Sequence, residues 1–173
     1  MKNMKIIKGA FLSFAMLLMA TLSWAQRSPA ATATGTIGGA NITIRYNSPF
    51  VKGRAIWGGL VPFGKVWRAG ADSATRFETD KDIKIEGKKL PAGLYTLYLL
   101  VNENECTVII SSQRGQWGIT RAGETTEDPA KDVLRVNVKP KKSDMMNESL
   151  SYKFNSKGFV LSWENWDIPV SIK

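Results

Sequence analysis

From residue 31 onward, apolar and polar positions alternate in short runs separated by glycine, proline or charged turn residues. Ile42, Ile44 and Tyr46 alternate with Thr43 and Arg45, the period of two that places one side of a strand in a core and the other in water. The run 31–37, the pair Gly38-Gly39 and the run 40–46 therefore predict a hairpin. Residues 75–79 and 83–86 predict two strands paired around Asp80-Lys81, while Gly87-Lys88-Lys89 and Pro91-Ala92-Gly93 predict turns. Residues 94–101 are apolar on both alternating faces, as in a central strand covered on both sides. Strands are also predicted at 106–111 and at 133–139, where Leu134, Val136 and Val138 alternate with Arg135 and Asn137. Leu150, Tyr152 and Phe154 mark one face of another. Ser156-Lys157-Gly158 turns that strand into 159–163, whose Phe159, Leu161 and Trp163 share a face. Residues 168–172 end the chain, and Pro169 there suits an edge strand.

About nine short strands at hairpin spacing, with no sustained helical period, predict an all-β fold, a single antiparallel β-sandwich domain. Two long segments interrupt the strands. Residues 47–72 are rich in Gly, Trp and Arg, and residues 113–128 are polar. No internal repeat, linker or low-complexity tract is visible.

The N-terminus has a different pattern. Lys2, Lys5 and Lys8 precede a run from Ala10 to Leu22 that is apolar except for Ser13 and Thr21. Ser23-Trp24-Ala25 then places small residues where a signal peptidase reads them. A membrane-spanning helix needs roughly 20 apolar residues, and this run is shorter. Residues 1–25 are thus expected to be a signal peptide cleaved after Ala25. That leaves a domain of residues 26–173 in the periplasm or outside the cell, with no membrane span in the mature protein. No cysteine stands just after the apolar run, so a lipid anchor is not expected.

Export changes the reading of charge. The formal net charge is +9, and three of those units leave with the signal lysines. The rest is spread along the chain. Its densest run, Lys139-Pro140-Lys141-Lys142, reads as a solvated turn. A nucleic-acid surface needs a basic stripe with interleaved aromatics, so no nucleic-acid partner is expected. Weak attraction to an anionic envelope surface suits the charge better.

The chain contains no histidine and one cysteine, Cys106. These two facts exclude Ser-His-Asp and Cys-His catalysis, His-ligated zinc and a thiolate zinc site. Cys106 cannot form an internal disulfide, and in the run 106–110 it reads as a small buried apolar residue. No cofactor or metal is called for. Glu78, Asp80 and Asp82 recur at every second residue, a spacing open to calcium or to a carboxylate pair, but a solvated hairpin end is the simpler expectation. Glu124, Glu127 and Asp128 read the same way. Asp72-Ser73-Ala74 has the form of a short bacterial O-glycosylation signal. Asn41-Ile42-Thr43 and Asn147-Glu148-Ser149 are N-glycosylation sequons.

The chemistry concentrates in residues 47–72, which are long for a loop yet too apolar and aromatic for disorder. Arg54, Trp57, Lys65, Trp67, Arg68 and Asp72 are the candidate ligand-binding residues there. Trp57 and Trp67 can stack on a sugar or another flat apolar face. Arg54 and Arg68 can pair bidentately with a carboxylate or phosphate. Trp117, with Gln113 and Arg121 in the second long loop, is expected to complete the same cleft. The competing reading is a structural lid in which Trp57, Val61, Phe63, Val66 and Trp67 plug one end of the sandwich and Arg68 pairs with Asp72.

The segment from Pro49 to Asp72, PFVKGRAIWGGLVPFGKVWRAGAD, also carries a resemblance. With Gly87-Lys88-Lys89-Leu90-Pro91-Ala92-Gly93-Leu94-Tyr95, Gln116-Trp117-Gly118 and Asp132-Val133-Leu134-Arg135-Val136, it resembles the bacterial DUF2911 family, in order along nearly all of the mature chain. The resemblance implies an exported, mostly β domain and no established activity. Two positions depart from the family pattern: Asp72 stands where Asn is usual, and Cys106 where Trp is usual.

The leading expectation is a non-catalytic envelope domain. It would bind a small anionic or glycan-like ligand, or an envelope protein, through the Trp/Arg loop. The alternatives are a carboxylate-dependent, glycosidase-like hydrolase, which needs two carboxyls about 5–10 Å apart in an open cleft, and a structural or assembly protein, which needs a broad exposed apolar patch.

Overall fold

The computed structural model describes residues 28–173. The predicted signal segment and its cleavage site lie outside the described residues. The described chain is all-β with antiparallel pairing and one short 3₁₀ turn at Pro129–Lys131. β1 (Ala30–Ile37) and β2 (Ala40–Asn47) form the expected hairpin. Gly38 and Gly39, at φ 57° and 79°, supply the left-handed pair that a two-residue hairpin turn demands.

The larger sheet continues from β2 through β4 (Arg76–Thr79), β7 (Gly93–Val101), β8 (Cys106–Ser111) and β9 (Asp132–Val138). The two-residue β3 (Val66–Trp67) pairs with the far end of β7. The register sets Ile44 opposite Phe77, and Phe77 opposite Tyr95. One face of the sheet is thereby apolar across its strands. Both faces of β7 are covered, as expected from its unbroken apolar run. Leu97, Leu99 and Val101 join the main core. Tyr98 belongs with Ile109 and Ala74 to a smaller cluster on the other side.

β10 (Lys141–Asn155) and β11 (Gly158–Ser171) form a long hairpin. Their Tyr152, Phe159, Leu161 and Trp163 are buried in the same cluster as the inner face of the larger sheet, with Phe159 and Phe77 at 6.3 Å between ring centroids. A third pair, β5 (Ile83–Ile85) and β6 (Lys88–Leu90), joins this layer through the chain end. Lys84 N–H donates to Lys173 O at 2.7 Å, and Lys173 N–H returns a bond of 2.9 Å to Lys84 O.

β11 is strongly bent. Residues 157 and 172 would lie about 50 Å apart along a straight strand, yet Ile172 N–H donates to Lys157 O at 2.8 Å. Glu164, at φ 51°, and register shifts on β10 between Lys142 and Ser151 mark the irregular stretch. The return is so close that a Cβ on Gly158 would sit 1.9 Å from Val170 O.

Several sequence expectations are corrected here. Residues 75–79 and 83–86 do not pair with each other. β4 sits between β2 and β7, and β5 pairs with β6 and the chain end. Pairing partners are set by which apolar faces meet, and a local turn signal does not contain that information. Lys88 and Lys89 belong to a strand, and Lys141 and Lys142 open β10 instead of forming a turn. Residues 159–163 and 168–171 belong to one continuous strand, and Ile172 makes an isolated bridge to Ile85. The expectation for Cys106 holds: it is fully buried, and burial pushes its thiol up to about 11, so it stays protonated at neutral pH.

Candidate functional site

Residues 47–72 leave β2, fold over the β10–β11 hairpin and return to the larger sheet at β3. The backbone is held at intervals. Val51 N–H donates to Glu148 O (2.7 Å), Leu150 N–H to Pro49 O (3.0 Å), and Gly64 N–H to Val101 O (2.9 Å). Val51, Ile56, Val61 and Ala69 are buried in the main core, so much of this loop is structural. Asp72 has φ 55°, a left-handed conformation that Asp and Asn tolerate better than other non-glycine residues. Either side chain therefore suits this position.

The tryptophans form one packed group. Trp57 stacks on Trp166 at 4.8 Å and meets Trp67 and Trp163 edge to face at 6.0 and 5.9 Å. Trp67 stacks on Trp163 at 5.7 Å and donates its indole N–H to Gly70 O at 3.1 Å. Trp57 is thus held among other rings. The indole nitrogens of Trp57 and Trp163 are buried without a hydrogen-bond acceptor.

Between the two long loops lies a cavity of about 500 Å³. Arg54, Lys65, Trp67 and Arg68 of the sequence candidates line it, together with Leu60 and Pro62, and Trp163 forms part of its wall. The polar loop contributes Ile119, Gly123, Glu124 and Thr125. Trp57, Asp72, Trp117, Gln113 and Arg121 are not among the lining residues.

The cations are held differently. Arg54 donates from Nε to Val51 O at 3.0 Å and from a terminal nitrogen to Phe50 O, so part of its fork braces its own loop. Lys65 faces Glu124 at 3.9 Å across the cleft, and both side chains are well exposed. Arg68 is half-buried, and burial holds its guanidinium below the usual arginine value against the opposing pull of Asp72. It remains charged at neutral pH. Among the described residues Arg68 and Asp72 form no contact ion pair. Instead Arg68 donates to Trp117 O (3.3 Å), and its guanidinium lies 5.9 Å from the centre of that half-exposed ring. Arg68 therefore ties the loops together while lining the cleft.

The polar loop is fastened by hydrogen bonds and ion pairs. Gln113 O accepts from the Thr96 hydroxyl (2.7 Å), and its side chain donates to Thr126 O and accepts from Asp128 N–H. Gln116 Nε2 donates to the Tyr98 hydroxyl at 2.7 Å. Behind these, Arg135 reaches both Asp132 (2.7 Å) and Glu127 (3.0 Å), whose side chains are only 8% and 4% exposed. Burial, then the neighbouring Asp132, raises the Glu127 carboxyl above its ordinary value, with Arg135 opposing.

The other carboxylates are committed elsewhere. Glu78 pairs with Arg45 at 2.7 Å. Asp80 binds the backbone and side-chain nitrogens of Asn41 at 2.7 and 2.8 Å, which hold it below the usual carboxylate range. Asp82 accepts from Ala92 N–H at 2.9 Å. Glu124 is the one carboxylate among the lining residues, so the two-carboxyl arrangement of a glycosidase is not assembled in this cleft. Among the described residues no three metal-type side chains cluster.

Trp163 and Glu124 line the cleft without a cleft signal in the sequence. Trp163 carries only a core signal, the alternation of Phe159, Leu161 and Trp163. The bend of β11 and the loop above it make it a wall as well.

Fold and cleft together define an antiparallel all-β domain with a cationic, aromatic cleft between two long loops. Residues 28–172 match the model of the family described as Protein of unknown function (DUF2911), and the chain belongs to that family. Among curated proteins and among solved structures, nothing matches.

Proposed function

We propose that the protein is an exported envelope domain that binds a small anionic or glycan-like ligand in this cleft without transforming it. The observation that carries the reading is the imbalance of the lining: three cations, Arg54, Lys65 and Arg68, against one carboxylate, beside the stacked Trp67 and Trp163. A guanidinium already partly desolvated gains more from a bound carboxylate or phosphate than a fully hydrated one. The partly buried Trp67 ring suits the flat apolar face of a sugar or organic acid, and the buried Trp163 ring backs it. The cavity volume falls in the range of small-molecule sites, about 300–1,000 Å³.

The test is tryptophan fluorescence and thermal shift on the mature protein against envelope glycans and organic anions. A ligand that quenches or shifts emission, raises the melting temperature and loses both effects in Arg68→Ala supports the reading. If no ligand gives a signal, and Arg54→Ala and Arg68→Ala only lower the melting temperature, the loop is a structural lid. The export reading rests on the N-terminal pattern. N-terminal sequencing of protein recovered from the periplasm or medium is expected to start at Gln26.

A further inference from the structure

We propose a second anion site, separate from the cleft, on the outward face of the larger sheet, where Arg76 and Arg114 take a dianionic tetrahedral oxyanion such as a phosphate monoester. The strand register creates it. Arg45 on β2 lies directly opposite Arg76 on β4, and Arg76 lies directly opposite Thr96 on β7. Neighbouring strands run about 4.8 Å apart, so two guanidiniums project side by side from one exposed face, an unfavourable cross-strand pair unless something answers the charge.

Glu78 answers only half of it. Two residues along β4, it pairs with Arg45 at 2.7 Å. Among the described residues no carboxylate forms an ion pair with Arg76 or with Arg114. Arg114, at the start of the polar loop, joins Arg76 in lining a pocket of about 220 Å³, with Leu94, Tyr95, Thr96 and Gly115. Two uncompensated guanidiniums at one pocket match a double negative charge. Their planar forks match the paired oxygens of a phosphoryl group better than a single ammonium would. Leu94 gives one wall an apolar side chain, which suits a compact organic group esterified to the phosphate.

The probes are inorganic phosphate, phenyl phosphate and benzoate, titrated calorimetrically into the mature protein at pH 8 in a phosphate-free buffer. Saturable binding of phosphate or phenyl phosphate, at least tenfold tighter than benzoate, is expected. Tighter binding of phenyl phosphate identifies a monoester as the ligand, and tighter inorganic phosphate identifies the free ion. Because the cleft is itself proposed to take carboxylates and phosphates, the comparison is made in Arg68→Gln protein: phosphate binding is expected to persist there, and to fall at least tenfold when Arg76→Gln or Arg114→Gln is added. Arg76→Gln removes a like-charged neighbour, so its melting temperature without phosphate is expected to hold or rise. Absence of saturable binding overturns the proposal. So do, in Arg68→Gln protein, benzoate binding equally well and retention of phosphate binding when Arg76→Gln or Arg114→Gln is added. Loss in Arg68→Gln alone would place the anion in the cleft and refute this site while leaving the cleft reading intact. A cleft that binds nothing leaves this site standing.

Discussion

The two long loops on either side of the cleft are built in opposite ways. Residues 47–72 are anchored by apolar burial, with Val51, Ile56, Val61 and Ala69 in the main core and Trp57 and Trp67 packed against it. Residues 113–128 place no hydrophobic side chain in that core. They are fastened by Gln113, Gln116 and the group Glu127, Asp132 and Arg135. Apolar anchoring is non-directional and large, whereas polar anchoring is modest in net energy and costly when one partner is lost. A wall held by burial thus faces a wall whose hold depends on geometry and protonation. Aromatic residues make 47–72 read as a binding site, but much of that aromaticity serves packing. In 113–128 the sequence points to Gln113, Trp117 and Arg121 as part of the cleft, but none of them lines it, and Gln113 is a brace.

This contrast can be broken most forcefully in the apolar loop. Ile56→Ala removes a fully buried side chain and is expected to lower stability by about 2–5 kcal/mol, read by urea denaturation. Ile119→Ala in the polar loop is expected to cost clearly less in the same assay. Equal losses would mean that both loops are held by apolar burial.

A smaller effect is expected where the polar loop meets the sheet. Gln116→Ala removes the partner of the buried Tyr98 hydroxyl and should cost about 1–3 kcal/mol. Hydrogen exchange should show the loss of protection concentrated in residues 113–128, with residues 47–72 unchanged.

The contrast also predicts a pH response confined to the polar wall. Glu127 holds its proton more tightly folded than unfolded. As pH rises, the unfolded chain releases that proton first. Stability from this group is therefore fully present below the ordinary value of 4.5 and declines as pH climbs through the raised folded value. Glu127→Gln keeps the shape without the charge and should flatten that part of the stability profile, measured by denaturant melts from pH 4 upward. An unchanged profile would show that Glu127 is not the titrating group.

The smallest effect belongs to the strut across the cleft. Lys65 and Glu124 are exposed and 3.9 Å apart, so Lys65→Met should alter stability by no more than about 1 kcal/mol. Its effect on ligand signals in the cleft is expected to exceed its effect on melting temperature.

Strands are legible in the sequence where one face meets water. Ile42, Ile44 and Tyr46 on β2, and Leu134, Val136 and Val138 on β9, alternate cleanly and are buried as the period of two requires. Strand partners are not legible. Asp80-Lys81 has the composition of a hairpin turn, but Phe77 is drawn between Ile44 and Tyr95 by the shared core. Within the candidate site, Arg54, Lys65, Trp67 and Arg68 stand out by residue type and line one cavity. Nothing local separates them from Trp57, an equally aromatic neighbour that packs among other rings.

What this sequence determined by itself is the alternation that makes the chain all-β, the family it belongs to and the absence of histidine chemistry. Each is a property of residue identity or of neighbours a few positions apart. The tertiary structure alone decided that β11 bends back on itself and that Trp163 borders a cleft. It also decided that Arg68 bridges two loops, and that Arg45 and Arg76 stand side by side. Those outcomes depend on which distant faces meet when apolar surface leaves water, and that is settled by the packing of the whole chain.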